Sequence, residues 1–277
     1  MTDATVQKLE AVLAGCGSVA VAVSGGVDSL ALATLAHRVL GGGAAMFHAV
    51  SPAVPAEATA RTEKLAGAEG WTLDVFDAGE FADAEYRRNP VNRCFFCKTN
   101  LYAAIARRTG RQIVSGTNLD DLGEYRPGLE AARAQAVRHP YVEAGIDKRG
   151  VRRIAAALGL GALAELPAAP CLSSRIETGI RIEAPMLAVV HAAERLVADV
   201  LRPFGAPAAV RLRVRAGGIV VELDEAALGR LDATGEQRVR QLLGELLRRA
   251  GLVQPVSFAA YRSGSAFLRA PAAAGAP

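Results

Sequence analysis

The sequence predicts an α/β fold: a doubly wound parallel sheet with a smaller C-terminal α+β domain. Over the first 184 of its 277 residues, short apolar runs alternate with helix-length segments, which is typical of a parallel sheet covered by helices. The pattern then changes to a long helix, a hairpin, another helix and a strand. We therefore expect one domain at 1–184, a second at 185–269, and a disordered Ala/Pro/Gly tail at 270–277.

Four short apolar runs in the N-terminal domain are predicted to be strands, at 19–23, 44–50, 72–76 and 111–115. Helices are predicted after each strand, the first through the periodic residues 30–39 and the others at 57–70, 99–108 and 148–158. In an open parallel sheet, ligands bind beyond the carboxyl ends of the strands. The turns after the first and fourth strands are therefore expected to meet at one crevice.

The second domain is predicted to begin with a helix at 185–202, which a Pro-Phe-Gly segment ends. A hairpin at 210–215 and 219–223, a helix at about 236–250 and a strand at 256–261 follow. Arg211 and Arg213 fall on one face of the hairpin, where they either grip a phosphate or form an ordinary solvated surface. Glu222 and Asp224 are expected to be surface carboxylates.

Charge and hydropathy exclude several classes of protein. The net charge is +4, and the excess belongs to residues 185–277, with 12 basic against 8 acidic side chains. No basic block is present, so the distribution suits a phosphorylated small molecule rather than a nucleic acid. No apolar run approaches the ~20 residues of a membrane span, and no secretory signal is visible. We expect a cytoplasmic enzyme without a membrane partner.

The hexapeptide Ser-Gly-Gly-Val-Asp-Ser at 24–29 stands directly behind the first predicted strand and opens a helix. At such a turn, backbone N–H groups and the positive end of the helix dipole meet an anion. Gly25 and Gly26 allow close approach to a phosphate, and Ser24 and Ser29 add hydroxyl donors. The alternative, a turn of small residues without a ligand, fits this strand–turn–helix context less well.

The cysteines are too few, in a chain without a signal, to indicate a disulfide framework. Cys94 and Cys97 form a Cys-x-x-Cys pair ahead of a predicted helix, and Cys171 stands alone in Pro-Cys-Leu-Ser-Ser-Arg. The pair could chelate a metal, act as a redox dithiol or be coincidental. Three thiolates could instead hold an iron–sulfur cluster with one open iron. Cys16 is expected to be a small core residue.

Segments over nearly the whole chain resemble the LarE-type sulfur transferases, a branch of the ATP pyrophosphatase superfamily. They lie at 24–29, 89–90, 93–98, 116–121, 125–128, 170–175, 211–213 and 261–265. The Tyr-Arg-Pro-Gly turn at 125–128 and the proline–cysteine segment at 170–175 are the most specific of them. The resemblance implies a sheet of the adenine-nucleotide alpha-hydrolase type and a small-molecule nucleotide substrate. These enzymes thiolate a pyridinium dicarboxylate mononucleotide for the nickel-pincer cofactor of lactate racemase.

The family's nucleotide-site residues carry over to matching positions of this sequence. The resemblance implies that Ser24, Gly25, Gly26, Val27, Asp28 and Ser29 hold the ATP phosphates, with Asp28 also catalytic. It implies further nucleotide contacts from Gly116, Thr117 and Asn118, with Asp121 as a Mg²⁺ or ribose partner. Arg211 and Arg213 match arginines that grip the substrate phosphate. A homo-oligomer is expected by the same resemblance.

The resemblance also assigns the sulfur chemistry. Cys171 matches the catalytic cysteine, which in one form of the family gives up its own sulfur. In the other form it joins a Cys-x-x-Cys pair in binding a [4Fe-4S] cluster that passes on sulfide. Because Cys94 and Cys97 are present, this chain resembles the cluster form, and the sulfide donor stays open. The main alternative is a transfer-RNA thiolase with the same loop and an iron–sulfur site.

Overall fold

The computed structural model describes residues 4–123 and 126–262. Its contacts divide the chain into two compact units. The first unit consists of Met1–Asp83 and Asn92–Ala169, and the second of Ala84–Val91 and Pro170–Pro277. This division differs from the sequence-based boundary after residue 184, because residues 84–91 and 170–184 belong to the second unit. The tail expected at 270–277 lies outside the described residues.

The strands and helices are numbered in chain order. The strands are β1 Val19–Ala22, β2 Ala44–Val50, β3 Leu73–Asp77, β4 Gln112–Ser115, β5 Val210–Arg215, β6 Gly218–Leu223 and β7 Val256–Ala260. The helices are α1 Ala4–Ala14, α2 Val27–Leu40, α3 Ala56–Glu69, α4 Ala84–Arg87, α5 Arg93–Ala106, α6 Gly128–Ala134, α7 Pro140–Glu143, α8 Lys148–Ala157, α9 Ala184–Leu201, α10 Glu225–Arg230 and α11 Ala233–Arg249.

The first unit is built on a parallel four-stranded sheet in the order β3-β2-β1-β4, which confirms the predicted fold class. Alternate residues of β1 enter different cores: Val21 packs with Leu32 and Met46, and Ala20 packs with Phe47 and Ile105. Both faces of the sheet are therefore covered, as its continuous apolar strands predict. The strand order reverses between β1 and β4, where a ligand crevice is expected.

The second unit contains a small mixed sheet in the order β5-β6-β7. Strands β5 and β6 form the predicted antiparallel hairpin, and β7 pairs with β6 in parallel. The predicted helices of this unit are present as α9 and α11. Among the described residues, no helix combines the length and apolar character needed to span a bilayer.

The sequence interpretation missed five helices, namely α1, α4, α6, α7 and α10. Helix α1 had a signal, because Val6, Leu9 and Leu13 are spaced along one face and are buried. The other four are seven residues or shorter, so they carry too little periodicity to be recognised.

Glu80, which follows β3, is buried at 6% exposure. Burial raises the pKa of this carboxyl group, and a hydrogen bond with Ser51 offsets part of the effect. The unfolded chain therefore loses the Glu80 proton at lower pH, so stability falls as pH rises toward the folded-state pKa. Relative to wild type, Glu80→Gln should have the same free energy of unfolding at about pH 4 and a higher one at about pH 8.

Urea unfolding at the two pH values measures this difference, and Glu85→Gln on an exposed ion pair is the control. Equal stability of wild type and Glu80→Gln at the higher pH would contradict the assignment.

Candidate functional site

The 24–29 loop links β1 to α2 and is held by its own hydroxyl groups. The Ser29 hydroxyl accepts a hydrogen bond from the Ser24 backbone N–H at 3.0 Å and donates one to the Gly26 carbonyl at 3.1 Å. The two serine hydroxyls lie 3.2 Å apart. Gly26 is the N-cap of α2, without a side-chain cap. The N-terminal N–H groups of α2 thus stand at the carboxyl end of β1, in the arrangement that binds anions.

Gly25 is required by both backbone conformation and space. Its φ is +79°, a value that L side chains rarely adopt. A Cβ at this position would lie 2.7 Å from the carbonyl oxygen of Ala58. The Gly25 carbonyl also accepts a hydrogen bond from Arg61 Nε at 2.9 Å. Helix α3 therefore supports the loop from behind, and the loop conformation is set before any ligand binds.

The turn after β4 lies against the loop, which confirms the predicted meeting of the two turns. A Cβ at Gly116 would lie 3.0 Å from the backbone nitrogen of Ser29. Asn118, 2% exposed, places its Nδ2 atom 3.3 Å from Asp28 Oδ1. Thr117 Oγ1 lies 3.2 Å from Ser115 Oγ. One edge of the sheet therefore combines helix N–H groups, hydroxyls, an amide and a carboxylate.

Asp28 is contacted by three residues that are distant from it in sequence. Besides Asn118, Lys148 approaches it, with Nζ 2.5 Å from Oδ2. The Tyr141 hydroxyl donates to the Asp28 backbone carbonyl at 3.0 Å. Burial raises the pKa of Tyr141 well above its usual range, with Asp28 adding to the effect, so the phenol keeps its proton. Asp28 is thus an anchor for three separate segments of the first unit.

Asp121 closes the same turn. Its Oδ2 atom accepts the backbone N–H of Asn118 at 3.0 Å, and its Oδ1 atom pairs with Arg126 at 2.7 Å. Mg²⁺ at nucleotide sites takes one or two carboxylates together with phosphate oxygens, so the carboxylates of Asp28 and Asp121 fit as donors. Tyr125 of the Tyr-Arg-Pro-Gly segment lies outside the described residues.

Two residues of the site were missed in the sequence interpretation. Lys148 is the first residue of α8, and the sequence interpretation gives it no role beyond that helix. Its position directly after Asp147, which caps α8, is the one signal that the sequence offers. His48 is fully buried on β2, with Nδ1 2.9 Å from the Val23 carbonyl oxygen and Nε2 2.9 Å from Thr59 Oγ1. It therefore ties the entry of the loop to α3. No local pattern reveals such contacts.

Cys94 and Cys97 lie within the first two turns of α5, not ahead of the helix as predicted. The helix begins at Arg93, six residues earlier than expected, because no glycine or proline interrupts the segment. Residues three apart on a helix share a face, and thiolates are stabilised at a helix N-terminus. The pair therefore fits as two thiolate ligands of one metal centre. Within either unit, the described residues hold no group of three His, Cys, Asp or Glu side chains arranged for a metal.

Gly128 lies against the same helix, since a Cβ there would be 3.0 Å from Lys98 Cγ. This contact gives the glycine of the Tyr-Arg-Pro-Gly segment a packing role. Cys16 packs beside the core of the first unit, as predicted, and its sulfur lies 3.3 Å from the Val12 carbonyl oxygen. Burial raises the pKa of Cys16, which keeps it a thiol.

Cys171 is exposed in the second unit and belongs to a tightly held turn. Arg175, 4% exposed, donates to the carbonyl oxygens of Pro170 at 2.6 Å and Cys171 at 3.3 Å. The same guanidinium forms a two-pronged pair with Glu194 of α9 at 2.9 and 3.1 Å. The backbone that carries the thiol is therefore fixed while its sulfur faces solvent.

Side-chain hydrogen bonds from Asn89 and Tyr86 explain why the 84–91 segment joins this unit. Asn89 is fully buried with a φ of +56°, and its Nδ2 atom donates to the carbonyls of Ile176, Glu177 and Ile180. Tyr86 Oη lies 2.6 Å from Ser173 Oγ, two residues after Cys171. Asn89 thus holds the segment that follows the cysteine turn, and Tyr86 contacts the turn itself.

Arg211 and Arg213 are not a solvated strand face. Arg213 is 5% exposed, pairs with Glu222 at 2.9 Å and donates to the Ser174 carbonyl at 2.8 Å. Arg211 is half-buried, with its guanidinium 5.6 Å from the centre of the Tyr261 ring. Burial lowers the pKa of Arg211, and nearby Arg175 adds to the effect. An anion beside this half-buried guanidinium would favour its charged form.

The interpretation as a surface carboxylate was wrong for Glu222, whereas Asp224 is partly exposed. Glu222 is 3% exposed and pairs with both Arg213 and Arg215. Asp224 caps α10 by accepting the Ala227 N–H at 2.9 Å. Partial burial opposes ionisation of Asp224, but hydrogen bonds from three backbone N–H groups lower its pKa. The segment at 263–265 lies outside the described residues.

The Arg175–Glu194 pair gives a prediction for the second unit. Glu194→Gln leaves a buried guanidinium without its counter-charge, so it should lower the free energy of unfolding by about 3–5 kcal/mol. Glu245→Gln on the exposed Arg249 pair should change it by less than about 0.5 kcal/mol. Urea unfolding measures both. A loss at Glu194 no larger than at Glu245 would contradict the role of the pair in holding the cysteine turn.

No protein-family model matches the chain. The uncharacterised protein slr1717 of Synechocystis sp. is 39% identical over 178 residues, covering 63% of this chain and 66% of that protein. The pyridinium-3,5-bisthiocarboxylic acid mononucleotide synthase of Lactiplantibacillus plantarum is 30% identical over 244 residues, 84% of each chain. The uncharacterised protein MJ0830 of Methanocaldococcus jannaschii is 26% identical over 142 residues, about half of each chain.

Proposed function

Since the chain belongs to the family of the pyridinium-3,5-bisthiocarboxylic acid mononucleotide synthase, we propose that it is an ATP-dependent sulfur transferase of the same kind. Its substrate would be pyridinium-3,5-biscarboxylic acid mononucleotide, one carboxylate of which becomes a thiocarboxylate. The product would serve the synthesis of a nickel-pincer cofactor.

The observation that carries the proposal is the anion site at the carboxyl end of β1. The loop is preset by Gly25 in a left-handed conformation, and Gly116 packs against the first turn of α2. These features present unpaired helix N–H groups to a phosphate without rearrangement of the backbone. They support ATP binding with its phosphates on the 24–29 loop, together with Thr117 and Asn118.

Adenylation would supply the leaving group that a carboxylate lacks. A carboxylate oxygen attacks the α-phosphorus of ATP, pyrophosphate leaves, and an acyl adenylate forms. Sulfide then attacks the acyl carbon and expels AMP, which leaves the thiocarboxylate. If the Cys171 thiolate attacks instead, a thioester forms, and loss of the Cα proton with cleavage of the Cβ–Sγ bond would release the thiocarboxylate and leave dehydroalanine. The loop N–H groups would hold the departing pyrophosphate. Asp28 and Asp121 would bind Mg²⁺, which offsets charge on the phosphates.

Cys171 is proposed as the residue that handles sulfur. Its exposed thiol on a fixed backbone supports this role, because the sulfur can meet a substrate without ordering the turn. Cys94, Cys97 and Cys171 would hold a [4Fe-4S] cluster, which supplies an open iron able to carry sulfide. The shared helical face of Cys94 and Cys97 supports two of these ligands.

Arg211 and Arg213 are proposed to serve the substrate phosphate in different ways. Arg211 is half-buried, and its burial together with nearby Arg175 lowers its pKa, so an anionic phosphate beside it would favour the charged guanidinium. Arg213 is already bound to Glu222 and Ser174, so its part would be to fix the strand that presents Arg211.

Pyrophosphate release tests the function directly. Purified anaerobic protein with Mg²⁺ and ATP should release pyrophosphate when the dicarboxylate mononucleotide is added, and not when bulk transfer RNA is added. Stimulation by transfer RNA alone would favour a transfer-RNA thiolase and contradict the proposal.

A further inference from the structure

Lys148 pairs with Asp28 across 120 positions of sequence, inside the first unit. The Nζ–Oδ2 distance is 2.5 Å, and the side chains are 33% and 27% exposed. The pair joins the first turn of α8 to the first turn of α2. Because α2 begins at the 24–29 loop, the ammonium stands beside the place where nucleotide phosphates are proposed to bind.

The two carboxylate oxygens of Asp28 are both in contact with donors. Oδ2 pairs with the Lys148 ammonium, and Oδ1 lies 3.3 Å from Asn118 Nδ2. A divalent cation at this carboxylate would meet a positive charge within a few ångströms, in a partly buried setting where charges are weakly screened. With Lys148 and Asn118 in these positions, Asp28 is therefore masked against metal ions.

The backbone of Lys148 is fixed, while its side chain can change partner. The Lys148 N–H donates to Asp120 Oδ2 at 3.1 Å, and Asp147 caps α8 through the Gly150 N–H at 2.7 Å. A lysine side chain is a compact charge on a flexible four-carbon stem. The ammonium can thus move between neighbouring anions without displacement of the helix.

We propose that Lys148 is a mobile counter-charge of the nucleotide site. It neutralises Asp28 through the 2.5 Å ion pair and moves to a phosphate oxygen when a nucleoside triphosphate binds, which opens Asp28 to a divalent cation. Nucleotide therefore promotes metal binding at Asp28. The exchange involves ion pairs only, and no covalent bond changes. This inference rests on the proposed nucleotide function and adds a phosphate-binding residue to it.

The test measures the affinity of the 277-residue chain for Mn²⁺ by electron paramagnetic resonance. The titration is done with and without the α,β-methylene analogue of ATP. Wild type should bind Mn²⁺ at least about tenfold more tightly with the analogue than without it. Lys148→Met should bind Mn²⁺ without the analogue at least about tenfold more tightly than wild type does. Adding Asp28→Asn to Lys148→Met should remove that gain.

Arg38→Met is the matched control, because it removes a 2.8 Å ion pair with Glu69 away from the loop. It should leave Mn²⁺ binding at the wild-type level. If Lys148→Met does not fold, as judged by circular dichroism, Lys148→Gln carries the same test. Unchanged Mn²⁺ affinity in the folded variant overturns the inference. Failure of wild type to bind the analogue contradicts the proposed function instead.

Discussion

Replacing Gly25 by alanine should weaken ATP binding by at least about 100-fold. The substitution places a Cβ where the φ of +79° disfavours it and 2.7 Å from the Ala58 carbonyl oxygen. The loop must then move, and its backbone N–H groups no longer point toward the phosphates. Calorimetric titration with the α,β-methylene analogue of ATP measures the change.

Two alanine variants separate the loop conformation from a general effect of removing glycine. Gly26→Ala should cost much less affinity, because Gly26 has a negative φ of −86° and a Cβ there meets only Ser24 Oγ at 3.6 Å. Gly67→Ala, within α3, has open space around it and should leave ATP binding at the wild-type level. Equal losses at Gly25 and Gly26 would show that the left-handed turn does not set the site.

Replacing Cys171 by alanine should lower thiocarboxylate formation by at least about 1000-fold while leaving the first pyrophosphate release intact. The reason is that adenylation is assigned to the first unit, whereas sulfur handling is assigned to this exposed thiol. Single-turnover assays with detection of pyrophosphate and of thiocarboxylate by mass spectrometry measure the two steps separately.

Cys16→Ala is the control, since burial keeps Cys16 a protonated thiol, and both steps should continue. Cys94→Ser and Cys97→Ser distinguish the two sulfur sources. With cluster-borne sulfide, each should abolish sulfur transfer, whereas with sacrificial sulfur Cys171 should lose H₂S during turnover. Thiocarboxylate formation by Cys171→Ala at the wild-type rate would contradict the assignment.

The sheet and its ligand edge could be predicted because they follow from local patterns. Buried parallel strands are continuous apolar runs, and a glycine pair between a strand and a helix indicates an anion site. Helix α5 was misplaced at its beginning, since Cys94 and Cys97 carry no start signal that distinguishes a turn from a first helical turn. The docking of Asn89 on 176–180 depends on side-chain hydrogen bonds across 87 or more positions, which no local pattern contains.

Charge pairing was the least predictable part of the site. The partnership of Lys148 with Asp28 depends on the meeting of α2 and α8 in space. Glu222 looked like an ordinary surface carboxylate by alternation along β6, yet Arg213 lies on the neighbouring strand and draws it into a buried pair. Alternation identifies which residues share a face of a sheet, but not whether that face is covered.

The fate of the carboxylate oxygen tests the central claim, adenylation of a carboxylate, most directly. Substrate labelled with oxygen-18 in its carboxylates would be turned over with ATP, and the AMP released would be examined by mass spectrometry. An acyl adenylate leaves one substrate oxygen on AMP when sulfur attacks the acyl carbon. The account therefore predicts AMP carrying one oxygen-18 atom for each thiocarboxylate formed. If the thiocarboxylate forms while the released AMP carries no oxygen-18, the claim is contradicted.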